Sequence, residues 1–199
     1  MTMLLRGSVR VVGTLLALAL AGGCMRPETA GSAPVAVMAG TSGTAERIAE
    51  ALVRADAAEA QQDRTALAQA ATMLDRLGAR GETAQDAARL EGWRASLPGD
   101  APPMRGRALG PAFRAAVLDP GSATELNQTF LGGRAAQIVV RVARGPVPRL
   151  VVHDQANREV CKLSDNAGTC RWVPLYTQRH RIQIANTGRG VSKFYLVFD

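Results

Sequence analysis

The sequence predicts an α+β protein, in which a short stem of two or three helices is followed by an all-β sandwich. Between residues 44 and 97 apolar residues recur every three or four positions, which is the helical period. From residue 105 to residue 199 they alternate with polar residues in short runs separated by turns, as in a β-sandwich. Three prolines and a glycine in residues 98–104 cannot continue a helix and predict a linker between the two parts.

Residues 1–23 have the pattern of a targeting signal. Arg6 and Arg10 precede an apolar run that starts at Val11 and ends in the small residues Gly22 and Gly23. A basic start, a short apolar run and small residues at its end predict a secretory signal peptide. The run is shorter than the roughly 20 residues that a membrane-spanning helix needs. Residues 24–43 are rich in Ala, Pro, Gly, Ser and Thr and predict a flexible tether.

A cysteine stands directly after this apolar run. The motif that ends there resembles the lipobox of bacterial lipoproteins: Leu20-Ala21-Gly22-Gly23-Cys24. The resemblance implies that Cys24 is acylated, becomes the N-terminus of the mature protein and anchors it in a membrane. Within that family, Met25 in the next position implies the outer membrane, with the protein facing the periplasm. An ordinary cleaved signal, with Cys24 simply retained, is the alternative.

The cysteine count fits this reading of the N-terminus. Three cysteines are an odd number for a secreted protein. If Cys24 carries lipid, Cys161 and Cys170 remain, and they can form one disulfide in a compartment where disulfides persist. Their spacing is not Cys-x-x-Cys, which favours a structural bond over a redox role.

The stem is predicted to contain a helical hairpin or three helices that pack on themselves or on the following domain. Thr44, Asp63 and the pair Thr83 and Asp86 are the candidate N-terminal caps. The apolar stripes consist of Ile48, Ala51, Leu52, Ala55 and Ala58, then Leu67, Ala70, Ala71, Leu74 and Leu77, then Ala87, Leu90 and Leu97. Gly78 and Gly81 are placed to end the second helix.

Alternation in the β region assigns side chains to faces, because successive residues of a strand point to opposite sides. One apolar face contains Ile138, Val140 and Val142, and another run alternates Phe194, Leu196 and Phe198 with Tyr195 and Val197. His180 shares parity with Ile182 and Ile184 and is expected to point inward. Arg179, Arg181 and Gln183 are then expected on the outer face of the same strand.

Residues 107–199 resemble the bacterial pre-peptidase C-terminal domain, a small β-sandwich of secreted proteins. Three stretches carry the resemblance: Gln128–Gly133 leading into Ile138–Val140, Cys161 followed by Cys170–Pro174, and Ile182–Gly188 followed by Tyr195–Val197. Members of that family are usually accessory modules without catalytic residues, and some bind ligands or help secretion. The resemblance therefore implies a non-catalytic module with Trp172 covering the Cys161–Cys170 bond or the end of the sandwich.

An arginine surface is the sharpest functional candidate. The chain has a net charge of +7, and residues 105–199 hold fourteen Lys and Arg against six Asp and Glu. Arg179 and Arg181 share a face, and Arg171 and Arg141 are expected on neighbouring strands. Because guanidinium groups pair with carboxylates and phosphates, such a face could hold an anionic envelope glycan or a lipid phosphate. A merely solvated basic face is the alternative.

Enzymatic chemistry is not expected. His153 and Asp154 are adjacent, so on a strand they point to opposite faces and cannot act together in a catalytic triad. No group of His, Cys, Asp and Glu has the spacing of a zinc site, and no cofactor motif occurs, so neither a metal nor a cofactor is expected. Aromatic residues make up 4% of the chain, too few for base stacking, so nucleic acid is not an expected partner.

These observations predict a non-catalytic, membrane-tethered lipoprotein of the cell envelope that acts as a binding module. Its partners would be the membrane, through the N-terminal lipid, and an envelope protein or an anionic polysaccharide or lipid. One alternative is a structural or assembly factor that docks a partner through residues 44–97. A further alternative is a hydrolase with an unrecognised site, whose turnover would be lost on changing His153 or His180.

Overall fold

In a computed structural model of the chain, residues 43–95, Leu97, 110–164 and 168–199 can be described. The predicted signal peptide, the linker at 98–104, the turn at 165–167 and all of the tether except Gly43 lie outside the described residues. Within the described ranges, no helix is long and apolar enough to cross a membrane.

Three helices form in the predicted stem: α1 at Thr44–Ala60, α2 at Arg64–Arg76 and α3 at Ala84–Arg94. Asp63 caps α2, because its carboxylate accepts a hydrogen bond from the Ala66 N–H, and Thr83 and Asp86 form the predicted capping box of α3. The prediction for Thr44 was wrong by one residue. Gly43 is the N-cap of α1, and its N–H donates to Glu46 Oε2 at 2.7 Å, so Thr44 is already in the first turn.

The described residues contain nine strands in two sheets, which confirms the prediction of a β-sandwich. They are β1 (Arg80–Gly81), β2 (Ala112–Leu118), β3 (Ala123–Phe130), β4 (Ala136–Arg144), β5 (Arg149–His153), β6 (Glu159–Leu163), β7 (Thr169–Trp172), β8 (Gln178–Ala185) and β9 (Ser192–Phe198). One sheet has five strands in the order β1-β2-β9-β4-β7, and the other has four in the order β3-β8-β5-β6. The strand β1 was not predicted, because it is two residues long and pairs with β2, about thirty positions away.

The first hydrophobic core lies between the two sheets. It receives the inward side chains of β8, Ile182 and Ile184, as the alternation predicted. From β9 it receives Phe194, Leu196 and Phe198, which are buried. The alternation therefore identified correctly the faces that meet in the sandwich.

The second core lies on the other side of the five-stranded sheet, where the helices pack. Tyr195 and Val197 of β9 contact this core together with Phe113 of β2, and α1 supplies Ile48 and Leu52. The helices of the stem thus cover a sheet face that would otherwise be exposed and apolar. The helices pack both on each other and on the following domain, so both expectations for the stem are met. The described fold has three layers: helices, five-stranded sheet and four-stranded sheet.

A polar network joins the helices to the sheet near the start of β9. Asp56 of α1 accepts hydrogen bonds from the Tyr195 hydroxyl at 3.0 Å, from Arg89 of α3 at 3.3 Å and from Lys193. Burial raises the pKa of the Tyr195 phenol, and the negative charge of Asp56 adds to the effect. The tyrosine therefore stays protonated and donates to the carboxylate.

The disulfide between Cys161 and Cys170 is present, with its Cα atoms 5.8 Å apart. It does not close a hairpin within one sheet. Cys161 is on β6, an edge strand of the four-stranded sheet, and Cys170 is on β7, an edge strand of the five-stranded sheet. The bond therefore joins the two sheets at one side of the sandwich.

Candidate binding surface

The four candidate arginines lie in two separate places. Arg179 and Arg181 are on the outer face of β8, in the four-stranded sheet, as predicted. Arg141 and Arg171 are in the five-stranded sheet, on the side that faces the helices, so the structure does not bring them to the same surface. Arg171 forms an ion pair with Glu46 at the start of α1, at 2.7 Å.

The reason for this separation is the strand order. In the register of β8, the neighbours of Arg181 are Asn127 on β3 and His153 on β5. The strands β4 and β7, which carry Arg141 and Arg171, pair with each other in the opposite sheet. Sequence alternation shows which side of its own strand a residue occupies but not which sheet the strand joins.

A shallow pocket of about 430 Å³ opens beside Arg179 and Arg181. It is lined by Asn127, Asp154, Gln155, Asn157, Arg179 and Arg181. The Arg181 guanidinium donates to the Asn157 side-chain oxygen, which holds the arginine against the pocket wall. Asn157 adopts a left-handed backbone conformation with φ of 61°, which asparagine tolerates better than most residues. Nothing in the alternation of the strands points to Asn157 or Gln155, because both lie in the turn after β5.

The acidic residue of the pocket is already neutralised. The Asp154 carboxylate accepts the backbone N–H of Arg158 at 2.9 Å and is bound by the Arg158 guanidinium at 2.8 Å and 2.7 Å. The backbone hydrogen bond from Arg158, together with its side-chain hydrogen bond and charge, holds the pKa of Asp154 below its usual range. Asp154 therefore does not cancel the charge of the two pocket arginines.

The two pocket arginines differ in how far they are already paired. Arg179 is exposed, and its side chain has no hydrogen bond or ion pair with any described residue. The Arg181 guanidinium donates to Asn157 and forms an ion pair with Glu125, whose Oε2 is 3.8 Å from the buried Nε of Arg181. A small anion in the pocket would therefore find free N–H groups mainly on Arg179.

The two histidines have structural environments. His180 is fully buried; its Nε2 accepts a hydrogen bond from Trp172 Nε1 at 3.2 Å, and its ring packs edge-on against Phe130. Burial lowers the pKa of His180, so the ring is neutral, as an acceptor must be. His153 lies beside Arg181, and the neighbouring Asp154 is held by Arg158. In the described part of the chain, no group of His, Cys, Asp and Glu could hold a metal ion.

A second exposed feature is a cluster of apolar side chains at one end of the sandwich, here named the apolar tip. It consists of Leu131 in the loop between β3 and β4, and of Val173, Leu175 and Tyr176 in the loop between β7 and β8. The sequence does not reveal this cluster, because short apolar runs beside Gly and Pro look the same whether they end a strand or protrude from a loop.

The two loops of the apolar tip support each other. The Gly133 N–H donates to the Pro174 carbonyl at 2.7 Å, and the Gly132 N–H donates to the Thr177 hydroxyl at 3.1 Å. A Cβ on Gly132 would lie 2.5 Å from the Cα of Tyr176, so only glycine allows this approach. The apolar side chains are therefore presented by two interlocked loops.

No protein-family model and no curated protein matches the sequence. Among solved structures, the pre-peptidase C-terminal domain of a Bacillus anthracis collagenase is 11% identical, over 44% of this chain and 87% of that chain, with a TM-score of 0.38. A periplasmic inhibitor of g-type lysozyme from Aeromonas hydrophila is 10% identical over 45% of this chain and 84% of that chain, with a TM-score of 0.38. A de novo designed double-stranded β-helix is 14% identical over 44% and 97% of the two chains, with a TM-score of 0.29.

These likenesses are too low to carry an argument about function. The β-sandwich itself follows from the two sheets and the core between them. Membership of the pre-peptidase C-terminal family stays a prediction.

Proposed function

We propose that this protein is a non-catalytic binding module of the bacterial cell envelope, tethered to the outer membrane through Cys24, which holds an anionic glycan in the pocket of Arg179 and Arg181. The observation that carries the proposal is the charge arrangement of that pocket. Two guanidinium groups line it; Arg158 neutralises its one aspartate, Asp154, and Glu125 forms an ion pair with Arg181, so the unpaired positive charge is that of Arg179. A fixed positive charge at a concave site selects an anion.

The remaining lining favours a polyhydroxylated ligand. Asn127, Gln155 and Asn157 offer amide groups that donate and accept hydrogen bonds, as sugar hydroxyls require. No side chain of the lining is aromatic or aliphatic. A volume of about 430 Å³ is within the usual range of small-molecule sites. A uronic acid or a phosphorylated sugar combines the anion and the hydroxyls that this lining matches.

Two observations support placement in the envelope. The lipobox-like motif ending at Cys24 implies export and acylation. A disulfide such as Cys161–Cys170 forms and persists in an oxidising compartment such as the periplasm. An envelope protein that presents carboxylates could occupy the same pocket in place of a glycan.

Docking through the helical region has less support. The apolar stripe of α1, which includes Ile48, Leu52 and Ala55, is packed against the five-stranded sheet. That stripe is therefore not available to a partner helix.

The test is a calorimetric titration with a short oligogalacturonate, a soluble polymer of uronic acids. The Arg179→Gln/Arg181→Gln variant is expected to bind about ten- to one-hundredfold more weakly, because each hydrogen bond to a charged group contributes roughly 1.5–3 kcal/mol. The matched control is Arg144→Gln/Arg189→Gln, which removes the same charge from exposed positions at the opposite end of the sandwich. Equal affinity of the two double variants, or no binding by the parent protein, would rule out the glycan pocket.

A further inference from the structure

We infer that the apolar tip inserts into the surface of a lipid bilayer and so orients the sandwich on the membrane. This role goes beyond the proposed glycan pocket, and it rests in part on the proposed anchor at Cys24. It follows from the exposure of the tip, the charge around it and the place where the chain enters the fold.

The apolar side chains of the tip are largely exposed. Leu175 is 82% exposed, Val173 59%, Tyr176 55% and Leu131 51%. Side chains of this size gain free energy when they leave water, and a tyrosine suits the boundary between lipid and water because its ring is apolar and its hydroxyl is polar. The hydrogen bonds between the two loops hold the side chains in place before contact, so little ordering is required on binding.

The two loops of the apolar tip carry basic side chains. Arg134 follows Leu131 in the first loop, and Arg179 follows Tyr176 at the end of the second. Both are exposed and have no acidic partner among the described residues. Residues 131–135 and 173–179 contain no Asp or Glu. Arginines beside an apolar protrusion favour a surface of anionic lipid, which attracts basic side chains.

The chain enters the described fold at the end of the sandwich that carries the apolar tip. Gly43 lies against the side chains of Arg171 and Gln137, and Arg171 is two residues before Val173. From there α1 runs to the opposite end of the sandwich, where Asp56 meets Lys193. Residue 43 is therefore at the end of the molecule that carries the apolar tip.

The position of residue 43 has a consequence for a chain anchored at Cys24. The nineteen residues from Cys24 to Gly43 span at most about 65 Å when fully extended. An acyl anchor at Cys24 would keep residue 43 within that distance of the bilayer, and with it the end of the sandwich that carries the tip, at a high effective concentration near the membrane.

The experiment is flotation of the proposed mature chain, which starts at residue 24, with vesicles of phosphatidylcholine that contain one quarter phosphatidylglycerol. Every protein carries Cys24→Ala, so that neither an acyl anchor nor the apolar run of the predicted signal peptide contributes to binding. The tip variant is Leu175→Ser/Tyr176→Ser. The control is Met73→Ser/Val117→Ser, which changes two apolar residues that are 41% and 60% exposed elsewhere.

We expect the tip variant to bind the vesicles about tenfold more weakly than the parent and the control variant to bind as the parent does. Binding of the parent is expected to weaken on vesicles of phosphatidylcholine alone. Circular dichroism checks that all variants fold, which exposed substitutions should allow. The tip variant is expected to retain oligogalacturonate affinity, so the glycan pocket and the membrane contact are tested separately.

Three outcomes would overturn the inference. The parent could fail to bind the vesicles, or the tip and control variants could bind equally. The tip variant could also bind vesicles normally while losing an envelope protein that co-purifies with the parent, which would assign the tip to a protein partner.

Discussion

Removal of the Cys161–Cys170 disulfide is expected to lower the stability of the sandwich by a calculable amount. The two cysteines are nine residues apart in sequence and belong to edge strands of different sheets. In the chain-entropy model a loop of that length gives about 8.7 cal/mol/K, or about 2.6 kcal/mol at room temperature. The loss arises because the unfolded chain without the bond has more conformations available.

The variant is Cys161→Ala/Cys170→Ala, compared with Cys24→Ala as control. Alanine is chosen over serine because Cys170 is fully buried, and a hydroxyl there would add a desolvation cost. Urea unfolding followed by circular dichroism measures the free energy of unfolding. A loss of about 2.6 kcal/mol corresponds to a fall of about 5–10 °C in Tm for a domain of this size.

A reductant provides the second half of the assay. Dithiothreitol is expected to lower the stability of the parent protein by a similar amount and to leave the double variant unchanged. A difference below about 1 kcal/mol between variant and control would refute the reasoning, because it would mean that the loop constrains the unfolded chain far less than the model requires. Sensitivity of the double variant to dithiothreitol would refute it too.

Three further predictions concern the polar groups of the fold. Asp56→Ala should lower the free energy of unfolding in urea by about 3 kcal/mol, because it leaves buried donors unpaired. Adding Lys193→Met should recover part of this loss. Additive effects of the two substitutions would contradict a shared network. Thr83→Ala should cost about 1 kcal/mol through loss of the cap of α3, whereas Thr65→Ala, at an exposed helical position, should cost almost nothing. Burial lowers the pKa of His180 in the folded state, so the unfolded state takes up its proton first as the pH falls. Stability should therefore decrease as the pH is lowered through about 6.5 and be restored above it; a free energy of unfolding that is constant between pH 8 and pH 5 would contradict this.

Local periodicity was sufficient to predict the faces of individual strands. In β8 every second residue from His180 to Ile184 is buried, and Arg179 and Arg181 point outward, as alternation alone predicts. Side-chain caps were also predictable, since Asp63 and Thr83 act on N–H groups only three residues away. Both kinds of information are contained within a few consecutive residues.

Long-range pairing was not predictable in the same way. Cys170 and Arg171 lie on a strand of the five-stranded sheet, while Cys161, nine residues before Cys170, belongs to the other sheet. No local pattern in the sequence marks this change of sheet. The pocket depends on the same kind of information. Asn127 meets Arg181 only because β3 pairs with β8, and Asn157 reaches it from a turn.

The position of β9 has a consequence for how the protein can acquire its structure. This strand lies between β2 and β4, and its side chains alternate between the two hydrophobic cores. Neither hydrophobic core can form completely until residues 192–198 have been made. A chain that is synthesised or exported from its N-terminus therefore lacks its final packing until synthesis or export is almost finished. If the chain is exported, as proposed above, such delayed closure keeps it unfolded for passage through a narrow channel. It also means that chaperone protection would be needed until the strand arrives, since β2 and β4 would otherwise present open edges for aggregation.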